Sequence, residues 1–262
     1  MTEGILSTPP DEGSPITTVD VGGVVIAASN IDAVIRLLYQ WAHEPRRRYV
    51  VACSLHGLME RETNPQFDEA LSGASLILPD GMPLVWLARS NGFRVARRVC
   101  GPDLLHAMTS EGARTDIRHF FFGGEPHVAQ GLTTLVESRL GPSAIAGHLS
   151  PPMLPLADLC TESVARTINE TRPNVVWVGL GAPKQEVWMA SMRDRLDAAL
   201  LIGVGAAFGF ETGAETRAPA WLRETGLEWT YRLARNPRRL WRRYLRLNAY
   251  FARRLLRVRG KT

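Results

Sequence analysis

Residues 174–181 read NVVWVGLG, an apolar run that ends in Gly179, Leu180 and Gly181. The run is short, rich in β-branched residues and closed by glycine, which is typical of a buried strand that stops at a tight turn. A helical pattern follows from about Gln185. This stretch therefore predicts the strand–turn–helix unit from which α/β folds are built.

The same unit recurs along the chain. Further strands are predicted at residues 24–26, 49–52, 75–78, 119–122 and 200–204, and helices at residues 31–41, at residues 58–71 and in a stretch ending at residue 140. Ser29 is the predicted N-cap of the first helix. The alternation predicts a parallel sheet with helices on its faces, in which ligands bind beyond the carboxyl ends of the strands.

The composition is ordinary for a soluble α/β protein, with 45% hydrophobic and 22% charged residues among 262. The longest apolar run, residues 198–210, is too short to span a bilayer. Residues 1–15 lack the basic and apolar regions of a signal peptide, so we expect a cytoplasmic protein. Cys53, Cys100 and Cys160 show neither a disulfide framework nor metal-ligand spacing, which fits a reducing compartment.

The net charge of +5 is unevenly distributed. Residues 219–262 carry thirteen basic and two acidic side chains, a net charge of +11, whereas the rest carries 18 basic and 24 acidic ones, a net charge of −6. A basic tail on an acidic body predicts an anionic partner for the tail. We expect three parts: a disordered segment 1–18, an α/β domain 19–217 and an Arg-rich appendage 218–262.

The tail should form a helix from Pro237 with apolar and basic residues on neighbouring faces. The apolar face holds Leu240, Tyr244, Leu247, Phe251 and Leu255, and the basic face Arg239, Arg242, Arg243, Arg246, Arg253, Arg254 and Arg257. This pattern is typical of a helix on an anionic membrane surface. The alternative is a helix docked on the body by its apolar face. If exposed, that face could also drive self-association into a homo-oligomer.

One carboxylate directly follows a predicted strand, in the sequence Pro79-Asp80-Gly81. Proline limits the local backbone and glycine permits an unusual conformation, so Asp80 should be held in place at the ligand-binding edge. The alternative is an ordinary turn in which Asp80 caps the next helix.

Glycine-rich turns at the same edge allow backbone N–H groups to approach a phosphate or a ribose. They contain Gly124, Gly181 and Gly205-Ala206. Tight strand–helix connections explain each turn equally well. None matches the dinucleotide or P-loop pattern, which argues against a nicotinamide-dependent oxidoreductase.

The polar run Lys184-Gln185-Glu186 follows the second of these turns. Its side chains could bond a sugar or a base edge. They could equally form the solvated first turn of a helix, where the helix dipole favours Glu186. Arg98 offers a guanidinium near another turn, with a surface role as its alternative.

Together these segments resemble the WecG/TagA/CpsF family of glycosyltransferases over residues 20–250. The resemblance is carried by residues 74–81, 98–104, 121–124 and 178–186 with Trp188, by residues 202–208 and 217–219 with Trp221, and by residues 226–229, 232–233, 237–240 and 243–244. It implies a Rossmann-like core with helices on both faces and a membrane-docking appendage. It also implies inverting transfer from a UDP-sugar, of N-acetylmannosamine type or a hexose, to a polyprenyl-diphosphate-linked acceptor in cell-surface polysaccharide biosynthesis.

The resemblance also implies roles for individual residues. Asp80 matches the catalytic base, and Arg98 and Gln185 match residues that hold the donor. The appendage arginines matched to the diphosphate are Arg232, Arg239 and Arg242, next to Arg243. The family's Thr-x-Asn pair is replaced here by Ala52 and Ser54, which makes Ser54 and His56 candidate sugar contacts; the alternative for His56 is a structural role at a helix start.

No Asp-x-Asp pair for a divalent metal is present, so we expect the arginines to stabilise the leaving diphosphate without metal or cofactor. A non-enzymatic alternative is a nucleic-acid-binding protein that uses the basic tail. The apolar face of the tail and the acidic body argue against it, and we expect no nucleic-acid partner.

Overall fold

The computed structural model describes residues 16–235 and 237–259, except for the side chains of Arg232, Arg239, Arg243 and residues 254–259. The side chains of those three predicted diphosphate residues therefore lie outside the described part. Residues 1–15 of the predicted disordered segment 1–18 lie outside it as well. The end of that segment is ordered, because Ile16 is buried and a strand begins at Thr18.

A six-stranded parallel sheet forms the centre of the molecule. Its strands are β3 (Arg48–Cys53), β4 (Leu76–Pro79), β5 (His119–Gly123), β6 (Ile145–Leu149), β7 (Val175–Gly179) and β8 (Leu200–Gly203), in the order β4-β3-β8-β7-β5-β6. All neighbouring pairs are parallel. A short antiparallel hairpin of β1 (Thr18–Asp20) and β2 (Val25–Ala27) precedes the sheet. The predicted α/β class is confirmed.

Helices cover both faces of the sheet. One face packs against α1 (Ile31–Trp41), α5 (Gly101–Thr109), α6 (Pro126–Leu140) and α10 (Ala207–Thr212). The other packs against α2 (Leu55–Glu60), α3 (Pro65–Ser72), α4 (Met82–Ser90), α7 (Leu156–Leu159), α8 (Glu162–Glu170) and α9 (Lys184–Met192). The C-terminal appendage contains α11 (Ala220–Glu224), α12 (Glu228–Arg235) and α13 (Pro237–Arg259).

The strand order predicts where a ligand would bind. The connection after β5 leads outward to β6, whereas the connection after β7 leads back to β8. A crevice opens between adjacent strands whose connections leave in opposite directions, outside their carboxyl ends. The topology thus predicts a ligand position between the ends of β5 and β7, next to the turns at Gly124 and Gly181.

Two local predictions were wrong and one strand was missed, each for a physical reason. Helix α1 is capped by Asn30 rather than Ser29, because the Asn30 side chain accepts the Ala33 N–H at 3.0 Å. The helix predicted at residues 58–71 is two helices, since Asn64 caps a new helix that begins at Pro65. Strand β6 was missed because it is a half-buried edge strand interrupted by glycine.

The apolar face of α13 packs on the body. Leu247 is buried in the core together with partly buried Tyr244, Tyr250 and Phe251. The Tyr250 hydroxyl donates to the Leu58 carbonyl at 3.2 Å. Between Tyr244 and Phe251 this face is therefore docked on the body, as the alternative predicted, and there it is covered by the protein itself.

A different face of α13 points outward. It presents four arginines and two large apolar side chains: Arg238, Arg242, Arg246, Arg253, Trp241 and Leu245. The Arg242 guanidinium stacks on the Trp241 ring, 5.2 Å from its centroid. Within residues 16–235 and 237–259, no helix has the length and apolar character needed to cross a membrane.

Candidate active site

Asp80 lies on a turn that the sheet itself positions. Strand β4 ends at Pro79, paired with Cys53 of β3, and the Asp80 N–H donates to the Cys53 carbonyl at 2.8 Å. The following residue, Gly81, has φ +130°, a conformation that side-chain-bearing residues rarely adopt. The half-buried Asp80 side chain is thus held at the carboxyl edge of the sheet.

Two buried thiols lie near Asp80. Burial raises the pKa of Cys53 above its usual range, and the carboxylates of Glu186 and Asp80 raise it further. Burial likewise raises the pKa of Cys100, again with a contribution from Asp80. Neither thiol is suited to be a nucleophile, since only the thiolate reacts. Asp80 and Glu186 both act on the charge of Cys53, and we call these two carboxylates and the two thiols the Asp80 neighbourhood.

Gln185 joins two strand ends. Its side chain is 3% exposed, accepts the Gly205 N–H at 2.9 Å and donates to Glu186 Oε1 at 2.8 Å. It also packs against Gly203, where an added Cβ would lie 2.9 Å from Gln185 Nε2. The amide is therefore fixed between the ends of β7 and β8.

Glu186 is buried, with 1% of its surface exposed. The alternative of a solvated helix turn is thus wrong for Gln185 and Glu186. Burial raises the pKa of Glu186 to about 7, against the opposing effect of the Gln185 hydrogen bond. Its Oε2 atom has no hydrogen-bond partner among the described residues. Sequence reasoning could not reveal this, because the residue follows a turn that normally faces solvent.

The glycines at the carboxyl edge of the sheet have two different roles. A Cβ on Gly123 would lie 2.7 Å from the Gly179 carbonyl oxygen, and the Gly124 N–H donates to that same oxygen at 3.1 Å. These glycines serve close packing between the β5 and β7 turns. Gly181 and Gly205 have positive φ and would meet nothing within 4 Å, so their backbone borders open space.

The remaining predicted contacts surround this edge. Ser54 follows β3 as the N-cap of α2 with its side chain not used in the cap, and His56 is half-buried in the first turn. The Lys184 ammonium donates to the Leu154 carbonyl, toward the loop after β6. Ala206 is exposed at the start of α10. Their contacts with a substrate stay predictions.

Arg98 joins the core to the appendage. Its guanidinium contacts the Cys100 thiol at 3.1 Å, Asp103 at 3.8 Å and Glu228 of α12 at 3.5 Å. With 14% of its side chain exposed, Arg98 is not a simple surface residue. The thiol contact connects it to the Asp80 neighbourhood. Arg242 makes no described contact with this cluster.

Asp103 also forms ion pairs with two further arginines. Arg217 lies 2.6 Å away and Arg223 of α11 3.5 Å away. Burial raises the pKa of Asp103, but hydrogen bonds from Arg217 and Cys100 outweigh it and leave the pKa below its usual range. Asp103 is therefore an ionised anchor for the appendage.

A cavity of about 370 Å³ opens beside this cluster. It is lined by Met82, Arg89, Arg97, Arg98, Asp103, Arg223 and Glu224. Four guanidinium groups face two carboxylates, a net charge of +2, which suits an anion. Arg89 and Arg223 were not found by sequence reasoning, because only tertiary contacts bring α4 and α11 together. In the described part of the chain, no group of three or more His, Cys, Asp or Glu side chains could hold a metal ion.

Comparisons with known proteins agree with this architecture. The model of the "Glycosyl transferase WecG/TagA/CpsF family" matches residues 19–262. The chain is 31% identical over 191 residues to "N-acetylglucosaminyldiphosphoundecaprenol N-acetyl-beta-D-mannosaminyltransferase" of Bacillus spizizenii, covering 73% of this chain and 72% of the relative. It is 32% identical over 182 residues to the protein of the same name from Bacillus subtilis, covering 70% and 69%.

Proposed function

Because the chain belongs to the WecG/TagA/CpsF family of glycosyltransferases, we propose that it moves a sugar from a UDP-sugar to a polyprenyl-diphosphate-linked acceptor with inversion. The sugar is of N-acetylmannosamine type or a hexose, and the product enters cell-surface polysaccharide biosynthesis. The names of the two Bacillus relatives support the acceptor class and the N-acetylmannosamine-type sugar. The observation that carries the proposal is the family match together with Asp80 at the carboxyl edge of the sheet.

Inversion requires one in-line displacement. The Asp80 carboxylate takes the proton of the acceptor hydroxyl while that oxygen forms a bond to the anomeric carbon. The bond from the anomeric carbon to the diphosphate oxygen breaks, and UDP leaves from the opposite side. A well-placed general base contributes about 10²–10⁴-fold.

The leaving diphosphate gains negative charge that must be stabilised. Arg98 supplies a positive charge in the Asp80 neighbourhood, through its contact with Cys100. Gln185 and the open backbone at Gly181 and Gly205 are suited to the nucleotide or the donor sugar, at the strand ends where α/β proteins bind ligands. In this proposal arginine side chains act as preorganised cations and no metal takes part.

The outward face of α13 fits peripheral attachment to the inner face of the plasma membrane. Arginines attract anionic headgroups, and exposed Trp241 and Leu245 can enter the interface between headgroups and acyl chains. This face replaces the packed apolar face as the proposed contact. Binding to anionic vesicles should fall for Trp241→Ala and stay unchanged for Met153→Ala, a matched change of an exposed apolar side chain in the loop after β6.

The experiment is a screen of UDP-sugars with the purified chain and a short-chain polyprenyl-diphosphate N-acetylglucosamine. We expect transfer from one UDP-sugar, with the opposite anomeric configuration in the product by NMR coupling constants. Retained configuration would refute the single displacement. Absence of transfer from every UDP-sugar, with membranes and acceptor present, would refute the proposed donor class.

A further inference from the structure

We propose that the cavity between α4, residues 94–98, the start of α5 and α11 binds the diphosphate of the lipid-linked substrate through Arg89, Arg97 and Arg223, while Arg98 at its edge is left to the nucleotide diphosphate. This inference rests on the proposed function. It assigns to Arg89, Arg97 and Arg223 a ligand of a stated class, a prenyl-type diphosphate.

Two of the lining arginines keep their charge available. The Arg89 guanidinium donates to the Ala96 carbonyl at 3.2 and 3.1 Å, and Arg97 Nη1 donates to the Arg94 carbonyl at 2.9 Å. These bonds orient the guanidinium groups without neutralising them. No carboxylate forms an ion pair with Arg89 or Arg97 among the residues that the structure describes.

Arg223 adds a third cation from the appendage. Its contact with Asp103 is long, at 3.5 Å, and Asp103 already has a closer partner in Arg217 at 2.6 Å. The Arg223 Nε atom is buried without a hydrogen-bond partner in the described residues. Arginine forks bind phosphate oxygens in pairs, so a diphosphate would satisfy groups that the protein leaves unused.

The apolar surroundings distinguish a lipid from a nucleotide. Four large side chains in the segments around the cavity are 37–64% exposed: Trp86, Val95, Trp221 and Leu227. Trp86 lies on α4 one turn after the lining residue Met82, and the appendage turn at Gly226 packs against the Trp86 ring. A prenyl chain leaving a charged cavity needs such apolar surface along its whole length, whereas a nucleotide needs it only for its base.

The proposed reaction involves two diphosphates, that of the nucleotide and that of the lipid-linked acceptor, and each needs its own binding site. The open backbone at Gly181 and Gly205, after β7 and β8, suits the nucleotide. The arginine cavity borders the end of β4, because its lining residue Met82 begins the helix that follows Asp80. An acceptor diphosphate held there would bring its sugar hydroxyl toward Asp80.

Titration of the full chain with farnesyl diphosphate, UDP and phosphatidylglycerol vesicles tests the proposal. Each ligand is added to the wild type, to the double variant Arg97→Gln/Arg223→Gln and to the control Arg166→Gln, an exposed residue of α8. We expect the double variant to bind farnesyl diphosphate about ten- to hundredfold more weakly, from the loss of charge-assisted hydrogen bonds. Its affinity for UDP should change by less than about twofold, as should every affinity of the control.

A loss of UDP affinity instead would assign the cavity to the donor, and a loss confined to vesicles would assign it to lipid headgroups; either result overturns the proposal. Arg97→Lys/Arg223→Lys, which keeps both charges, should recover part of the affinity and separates charge from misfolding. If transfer occurs but the Michaelis constant for the acceptor is unchanged in the double variant, only this inference fails. If farnesyl diphosphate binding depends on the arginines while no UDP-sugar reacts, only the proposed function fails.

Discussion

Replacing Glu186 by glutamine tests whether this buried carboxyl group at the start of α9 is held uncharged by burial. The folded protein raises the pKa of Glu186 from an ordinary value of 4.5 to about 7. Below pH 4.5 the group is protonated in both the folded and the unfolded chain and does not change the free energy of unfolding. As the pH rises further, the unfolded chain releases the proton while the folded chain retains it, so the wild type loses stability relative to Glu186→Gln until about pH 7.

The size of this loss follows from the two pKa values. At 1.36 kcal/mol per pKa unit, the difference between 4.5 and about 7 corresponds to about 3 kcal/mol. Urea unfolding between pH 4 and 9, followed by tryptophan fluorescence, measures the free energy of unfolding of both proteins. Any packing effect of the amide adds a constant offset, whereas the predicted difference grows across this range and then levels off.

The control is Glu170→Gln, an exposed change at the end of α8, whose stability should run parallel to that of the wild type. A difference between Glu186→Gln and the wild type that is the same at every pH would refute the reasoning.

Three further predictions concern packing and chemistry. Gly123→Ala should lower the free energy of unfolding by about 2 kcal/mol, because φ is +107° and the new Cβ would lie 2.7 Å from the Gly179 carbonyl oxygen. The control Gly131→Ala on α6 should be tolerated, and thermal unfolding of both variants measures the difference. Leu247→Ala should lower the free energy of unfolding by about 3 kcal/mol and make α13 sensitive to limited proteolysis. The control Leu245→Ala, at an exposed position of the same helix, should have neither effect. EDTA should leave the transfer rate unchanged; a strict Mg²⁺ or Mn²⁺ requirement would contradict the arginine proposal.

The centre of the sheet was predictable because its strands are buried on both faces. Runs such as residues 120–122 and 175–178 are apolar throughout and are followed by glycine, which leaves little choice of structure. Edge strand β6 has no such pattern, since residues 145–149 are only partly buried. The break before Pro65 carried a usable signal in Asn64-Pro65, a capping residue followed by a helix-starting proline.

The candidate site was predictable where it depends on strand ends and not where it depends on tertiary contacts. Asp80 could be found because a carboxylate on a rigid turn after a strand must lie at the ligand edge. The burial of Glu186 and the approach of Arg223 depend on neighbours far away in sequence. For α13 the helical period was correct, but a period cannot tell whether the protein or a membrane covers the apolar face.

The role of Asp80 is tested most directly by the rate of sugar transfer in Asp80→Asn. The control is Asp194→Asn, whose side chain is 76% exposed in the turn before β8, near the opposite end of the sheet. With UDP binding and thermal stability of both variants confirmed, we predict that Asp80→Asn loses about 10²–10⁴-fold in rate while Asp194→Asn keeps its activity. Transfer by Asp80→Asn at the wild-type rate would contradict the assignment of this carboxylate as the base.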